Sequence, residues 1–215
     1  MTKDERIYAA ILALVGWCAI LLQCYWAVET AVDKGLSLSM GIVNVLSYFT
    51  ILTNILVAAY LTFAATGRLI ASPAARTALG SYILVVGCVY EVSLRRLWNP
   101  EGLRFIVDVV LHYVVPLGYF CYWILFVPKQ TLRYGAIASW TIYPFAYLFY
   151  SLIRGRLYGF FPYPFINYPE IGWPRLWINV ALLIFVFVLA GALLIALGRF
   201  IVRSRNASAS NSPLP

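Results

Sequence analysis

Apolar residues in this chain fall into long runs rather than alternating, and six of the runs approach the roughly 20 residues a helix needs to cross about 30 Å of hydrocarbon. The first, residues 7–28, is interrupted only by Gln23. The second, 43–64, carries a series of small polar side chains, and the third, 78–94, holds Glu91 near its end. The fourth spans 105–127. The fifth, 133–153, contains Pro144, which removes a backbone donor and predicts a kink. The sixth, 177–202, is the cleanest. Its length, and the lack of a small-residue cleavage site, make the first run a retained span rather than a removed signal peptide. The pattern predicts an all-α protein, a polytopic bundle of six transmembrane helices forming a single domain over 1–215. The connections are short, the longest being 154–176, and residues 203–215 read as a flexible tail whose last part, Asn206 to Pro215, is of low complexity.

Composition changes the picture only by fixing the solvent. With 63% hydrophobic and 11% charged residues, and a mean hydropathy of +0.84, the chain has too little polar surface to cover a soluble globule. The 16 Lys and Arg against 8 Asp and Glu would suggest a nucleic-acid partner in a soluble protein. Here the basic residues flank apolar runs, so membrane lipids are the expected partners and nucleic acid is not. Placing the N-terminus in the cytoplasm puts nine Lys and Arg inside and seven outside, which favours a cell-membrane protein with both termini cytoplasmic. Cys18, Cys24, Cys88 and Cys121 all lie in apolar runs and read as small buried hydrophobes, not as a disulfide or zinc framework.

The chemistry sits inside the runs. In the second, Ser47, Thr50 and Asn54 fall within a narrow arc at about 100° per residue, flanked by Asn44 and Thr53. Ser47 and Thr53 alone are explained as hydrogen-bonding glue between helices. In the fourth run Asp108 and the only histidine, His112, form an i, i+4 pair. An ionisable pair in hydrocarbon is costly and marks a functional site; Asp108 is expected to orient the imidazole and leave its other nitrogen free as a base. Both runs cross in the same direction, and Thr50 and His112 each lie seven residues in, roughly 10 Å deep at about 1.5 Å per residue. That predicts a hydroxyl nucleophile beside a base, with the Asn54 amide one turn deeper as a donor to an oxyanion. On the same side Arg95, Arg96 and Arg154, together with Arg104 and Arg156, are candidates to hold a carboxylate or phosphate, although snorkelling to the headgroups accounts for most of them. The aromatic and proline-rich stretch Tyr158 to Glu170 is expected to cap that side. No dinucleotide fingerprint, phosphate loop or metal-ligand spacing occurs, so neither a cofactor nor a metal is expected.

Four motifs in order, Ser47-Tyr-Phe-Thr-Ile-Leu-Thr-Asn54, Leu111-His-Tyr-Val-Val-Pro116, Trp140-Thr-Ile-Tyr-Pro144 and Tyr163-Pro-Phe-Ile-Asn167, resemble the androgen-induced membrane hydrolase family, in its short bacterial form. The resemblance runs from the second run to the start of the sixth. It implies an intramembrane threonine-type ester hydrolase acting on lipid esters such as fatty acid esters of hydroxy fatty acids, with Thr50 as nucleophile and His112 as base. The family pattern does not call for an acid at Asp108. The competing expectation is a proton-coupled transporter with Asp108 and His112 as relay, or a polytopic protein without catalysis. A bis-imidazole haem carrier needs more than one histidine.

Overall fold

The structure, a computed structural model, describes residues 1–68, 71–97 and 99–210, and among these the regular elements are all helical. Helices α1 (Lys3–Asp33), α2 (Leu38–Val45), α3 (Phe49–Ala65) and α4 (Pro73–Val89) come first, and α4 runs on through a π turn (Tyr90–Leu94) and a 3-10 turn (Arg95–Leu97). Helix α5 (Gly102–Val109) joins α6 (Val115–Phe126) through a second π turn (Val110–Val114). Helices α7 (Ile137–Trp140), α8 (Ile142–Tyr158), α9 (Tyr168–Ile171) and α10 (Trp173–Ser210) complete the chain. Side-chain oxygens set several starts. Thr2 accepts the Glu5 N–H at 3.1 Å, Ser37 the Met40 N–H at 3.2 Å, and Ser72, followed by Pro73, the Ala75 N–H at 3.2 Å. Among the described residues five helical stretches are long and apolar enough to cross a membrane, and α2 with α3 makes a sixth when counted as one broken span. By composition, then, this is a multi-pass membrane protein.

The second run departs most from expectation. Instead of one helix over 43–64, it is two helices bent by 79° at residues 46–48. Ser47 turns its hydroxyl back onto the Val43 carbonyl at 2.6 Å, a local bond that competes with helix continuation. Helix α8 then closes over the break. Tyr147 donates to the Ser47 carbonyl at 2.9 Å, and Tyr150 meets the Ser47 hydroxyl at 2.7 Å. Arg154 donates to Ser47 Oγ and to Asn44 Oδ1, both at 2.5 Å. The three α8 residues are spaced i, i+3, i+7 and so share one face. The continuous polar stripe from Asn44 to Asn54 therefore does not form, and Thr50 stands in the first turn of α3.

Before Pro144 the fifth run is interrupted at Thr141, between α7 and α8. A proline four residues on leaves the Trp140 carbonyl without its helical donor, and the Tyr82 hydroxyl takes it at 2.6 Å. Over 203–210, where a flexible tail is expected, α10 continues, and neither glycine nor proline occurs between Gly198 and Ser210 to stop it. Residues 211–215 lie outside the described residues.

Helices α3 and α5–α6 run side by side in one direction, with Asn54 against Leu111 and Tyr60 against Tyr122. Small residues let helices close up, as in other membrane bundles: a Cβ on Gly16 would meet Ala58 at 3.5 Å. A buried tyrosine cluster of Tyr60, Tyr119 and Tyr122 fills the end near the N-terminus, with Tyr122 donating to Glu5 at 2.9 Å. There Lys129 reaches back over the end of α6 to the carbonyls of Trp123 (2.7 Å), Ile124 (3.0 Å) and Val127 (2.5 Å). It gives a donor to the Ile124 and Val127 carbonyls and a second one to the Trp123 carbonyl, which also accepts the Val127 N–H. Lys129→Met is expected to cost about 1–3 kcal/mol, read as a lower midpoint of thermal unfolding in detergent.

Candidate functional site

The site is built on backbone irregularity. Pro116 has no N–H to offer the His112 carbonyl, and the helix relaxes into a π turn in which the Val115 N–H bonds Val110 O instead. The freed Leu111 carbonyl is met by Asn54, whose Nδ2 donates to it at 3.2 Å and to the Thr50 carbonyl at 2.8 Å. Helix α4 comes close only because residue 87 is glycine: a Cβ there would stand 2.9 Å from the His112 carbonyl oxygen. Gly87→Ala is accordingly expected to push α4 and the π turn apart and to cost about 1–3 kcal/mol, measurable as a lower unfolding midpoint.

Two π turns then place three side chains together. His112 Nδ1 lies 3.0 Å from the Asp108 carbonyl and 3.2 Å from Asp108 Oδ1. Both neighbours are acceptors, so Nδ1 carries a proton, and in the neutral ring the lone pair is on Nε2. Nε2 makes no hydrogen bond among the described residues. Tyr90, from the end of α4, donates to Asp108 Oδ2, and its ring stacks on His112 with centroids 3.8 Å apart and planes 17° apart. Tyr90 fixes both members of the pair, and the sequence reading did not single it out. An aromatic at the end of an apolar run carries no signal until the fold brings it to Asp108.

Thr50 approaches from α3. Its N–H donates to the Tyr163 phenol oxygen at 3.2 Å, and its Oγ1 meets the same oxygen at 3.3 Å. Thr50 makes no direct hydrogen bond to His112. Burial pushes the Tyr163 phenol up to about 12, against the pull of its bonds from Thr50 and the α3 backbone, so at neutral pH it remains an O–H donor. Tyr163 belongs to the motif Tyr163–Asn167 and is the second functional candidate that residue-by-residue reading left unassigned.

A cavity of about 610 Å³ joins the two halves, with Thr50, Tyr90, Asp108, His112 and Tyr163 all on its wall. Thr50 and His112 therefore face a common space from separate helices. Arg104 and Lys34 also line it, and both are exposed. Arg104 sits 3.4 Å from Glu29 and lies over the Trp26 ring.

The other site candidates fall elsewhere. Asn54 is fully buried and off the cavity wall, with both amide hydrogens spent on backbone carbonyls. This corrects its expected part as an oxyanion donor, because the π turn supplies an acceptor that claims it. Arg95 pairs with Glu91 at 3.1 Å on the exterior and Arg96 is exposed, and neither lines the cavity. Arg154 is 5% exposed and spends its donors on Ser47 and Asn44 beneath the Phe160 ring. Its expected contact with substrate is replaced by a role in holding the break before α3. Of the arginines named from sequence, Arg104 is the one on the cavity wall. Among the described residues no group of three His, Cys, Asp or Glu side chains stands in metal-holding range.

Compared with protein-family models, with curated proteins and with solved structures, the chain gives no match.

Proposed function

We propose that the protein is an intramembrane ester hydrolase acting on lipid-like acyl esters, with Thr50 as nucleophile and His112 as general base. The observation that carries this reading is the shared cavity: a hydroxyl and an oriented imidazole with a free Nε2, from different helices, line one space of about 610 Å³. On substrate entry the Thr50 hydroxyl turns from Tyr163 toward Nε2, gives up its proton and attacks the acyl carbon. Asp108 stabilises the imidazolium that forms. The Tyr163 phenol, 3.3 Å from the nucleophile, serves as a donor to the developing oxyanion in place of Asn54. The motif resemblance to androgen-induced hydrolases implies the same two residues. We place the chain in the cell membrane as a six-span bundle with both termini cytoplasmic, in keeping with the nine-to-seven distribution of Lys and Arg.

The test is labelling of the purified protein by a fluorophosphonate probe, with the modified residue mapped by mass spectrometry. Labelling at Thr50, lost in Thr50→Ala and strongly slowed in His112→Ala, is the expected result. Labelling that persists in both variants defeats the assignment. Proteoliposome flux that needs Asp108 and His112 but tolerates Thr50→Ala would instead select the proton-coupled carrier.

A further inference from the structure

A second space reaches Thr50 from behind. A narrow apolar cleft of about 80 Å³ lies between α4, α8 and α10, walled by Val86, Pro144, Leu148, Ile184 and Phe187 among others. It adjoins the interruption at Thr141, itself on the cleft wall, where α7 gives way to α8. Among the described residues three line both spaces: Thr50, Leu94 and Tyr163. The Thr50–Tyr163 contact thus forms the partition between a wide cavity that carries charged side chains and a narrow, apolar cleft.

The position of His112 gives the two spaces a direction. His112 lines the wide cavity and not the cleft. In ester cleavage the proton that the imidazole takes from the Thr50 hydroxyl must pass to the departing alcohol oxygen, since an alkoxide is a poor leaving group. The departing oxygen therefore lies on the His112 side. The bond from Thr50 Oγ1 to the acyl carbon forms, the bond from that carbon to the alcohol oxygen breaks, and Nε2 returns the proton to the alcohol; water, giving its proton to Nε2, then attacks the acyl carbon, the Oγ1–acyl bond breaks, and the acid leaves as Oγ1 takes the proton back. The acyl chain, on the other side of the same carbon, is left facing the cleft, whose wall offers it apolar side chains and almost no polar surface.

Resting on the hydrolase reading above, we propose that the α4–α8–α10 cleft is the acyl-chain subsite and the wide cavity the alcohol subsite. The protein thereby selects esters by acyl length through the cleft and by alcohol polarity through Arg104 and Lys34.

Two ester series test this with protein in lipid nanodiscs: one varies the acyl chain from two to sixteen carbons on a fixed alcohol, the other varies the alcohol from neutral to anionic on a fixed acyl group. Ile184→Phe, which fills the cleft, is expected to lower kcat/KM for the longest acyl chains by about tenfold relative to the shortest, leaving the alcohol preference unchanged. Arg104→Gln is expected to do the converse, reducing the preference for anionic alcohols with the acyl profile unchanged. If Ile184→Phe alters the alcohol preference instead, the orientation is reversed and the proposal fails; it also fails if neither profile moves. Should wild type cleave no ester at all, the hydrolase reading falls separately. The cleft is then judged by thermal stabilisation with non-hydrolysable alkyl aryl ethers of the same lengths. Length-dependent stabilisation lost in Ile184→Phe retains the cleft as an alkyl-chain site, and its absence removes that too.

Discussion

His112→Ala is expected to lower ester hydrolysis by about 10²–10⁴-fold with little change in KM, because it removes the imidazole that the cavity wall presents to move a proton between nucleophile and leaving group. Asp108→Asn should reproduce much of that loss by a different route. An amide in place of the carboxylate no longer stabilises the imidazolium, and it can present N–H to Nδ1, favouring the tautomer that places the proton on Nε2. Tyr90→Phe deletes one hydrogen bond to Asp108 while keeping the ring stacked on His112, so its effect should be smaller than that of either. The ordering His112→Ala, Asp108→Asn, Tyr90→Phe in decreasing severity, measured as kcat on one ester at one lipid composition, distinguishes an oriented base from a structural pair. Wild-type kcat in His112→Ala would end the catalytic account.

Arg154→Met should be the most damaging substitution outside the cavity. The guanidinium is buried and makes two hydrogen bonds of 2.5 Å, to Ser47 Oγ and Asn44 Oδ1, across the break between α2 and α3. Hydrogen bonds to a charged group contribute roughly 1.5–3 kcal/mol each, so a loss of about 3 kcal/mol or more is expected in denaturant or thermal unfolding. Activity should fall with it, because the bend of 79° sets where α3 begins and hence where Thr50 stands. Arg154→Lys should rescue only partly, since a single ammonium cannot reproduce the planar fork that meets two acceptors at once. Unchanged stability together with unchanged turnover in Arg154→Met would show that the break holds without it.

The Asp108 and His112 contact was legible because both residues lie on one helix, where i, i+4 spacing alone brings them within reach, and the π turn between them only adjusts the fit. Thr50 was legible as a polar group at a comparable depth. Its true setting was not, because the break before α3 depends on three α8 side chains about a hundred residues away. The arginines show the same division. Sequence marks Arg95, Arg96, Arg104 and Arg154 alike as basic residues beside apolar runs, yet one pairs outside, one is solvated, one lines the cavity and one is buried as a staple.

Hydrophobic run length by itself determined that the chain is helical and has the makings of a multi-pass membrane protein, because in hydrocarbon a helix satisfies its backbone hydrogen bonds within the same segment and needs no distant partner. Tertiary structure alone decided which polar groups are still available for chemistry. In a low-dielectric interior each donor and acceptor is claimed by whatever partner packing brings near, so Asn54 and Arg154 were consumed in holding the scaffold, while His112 was left on the wall of a cavity.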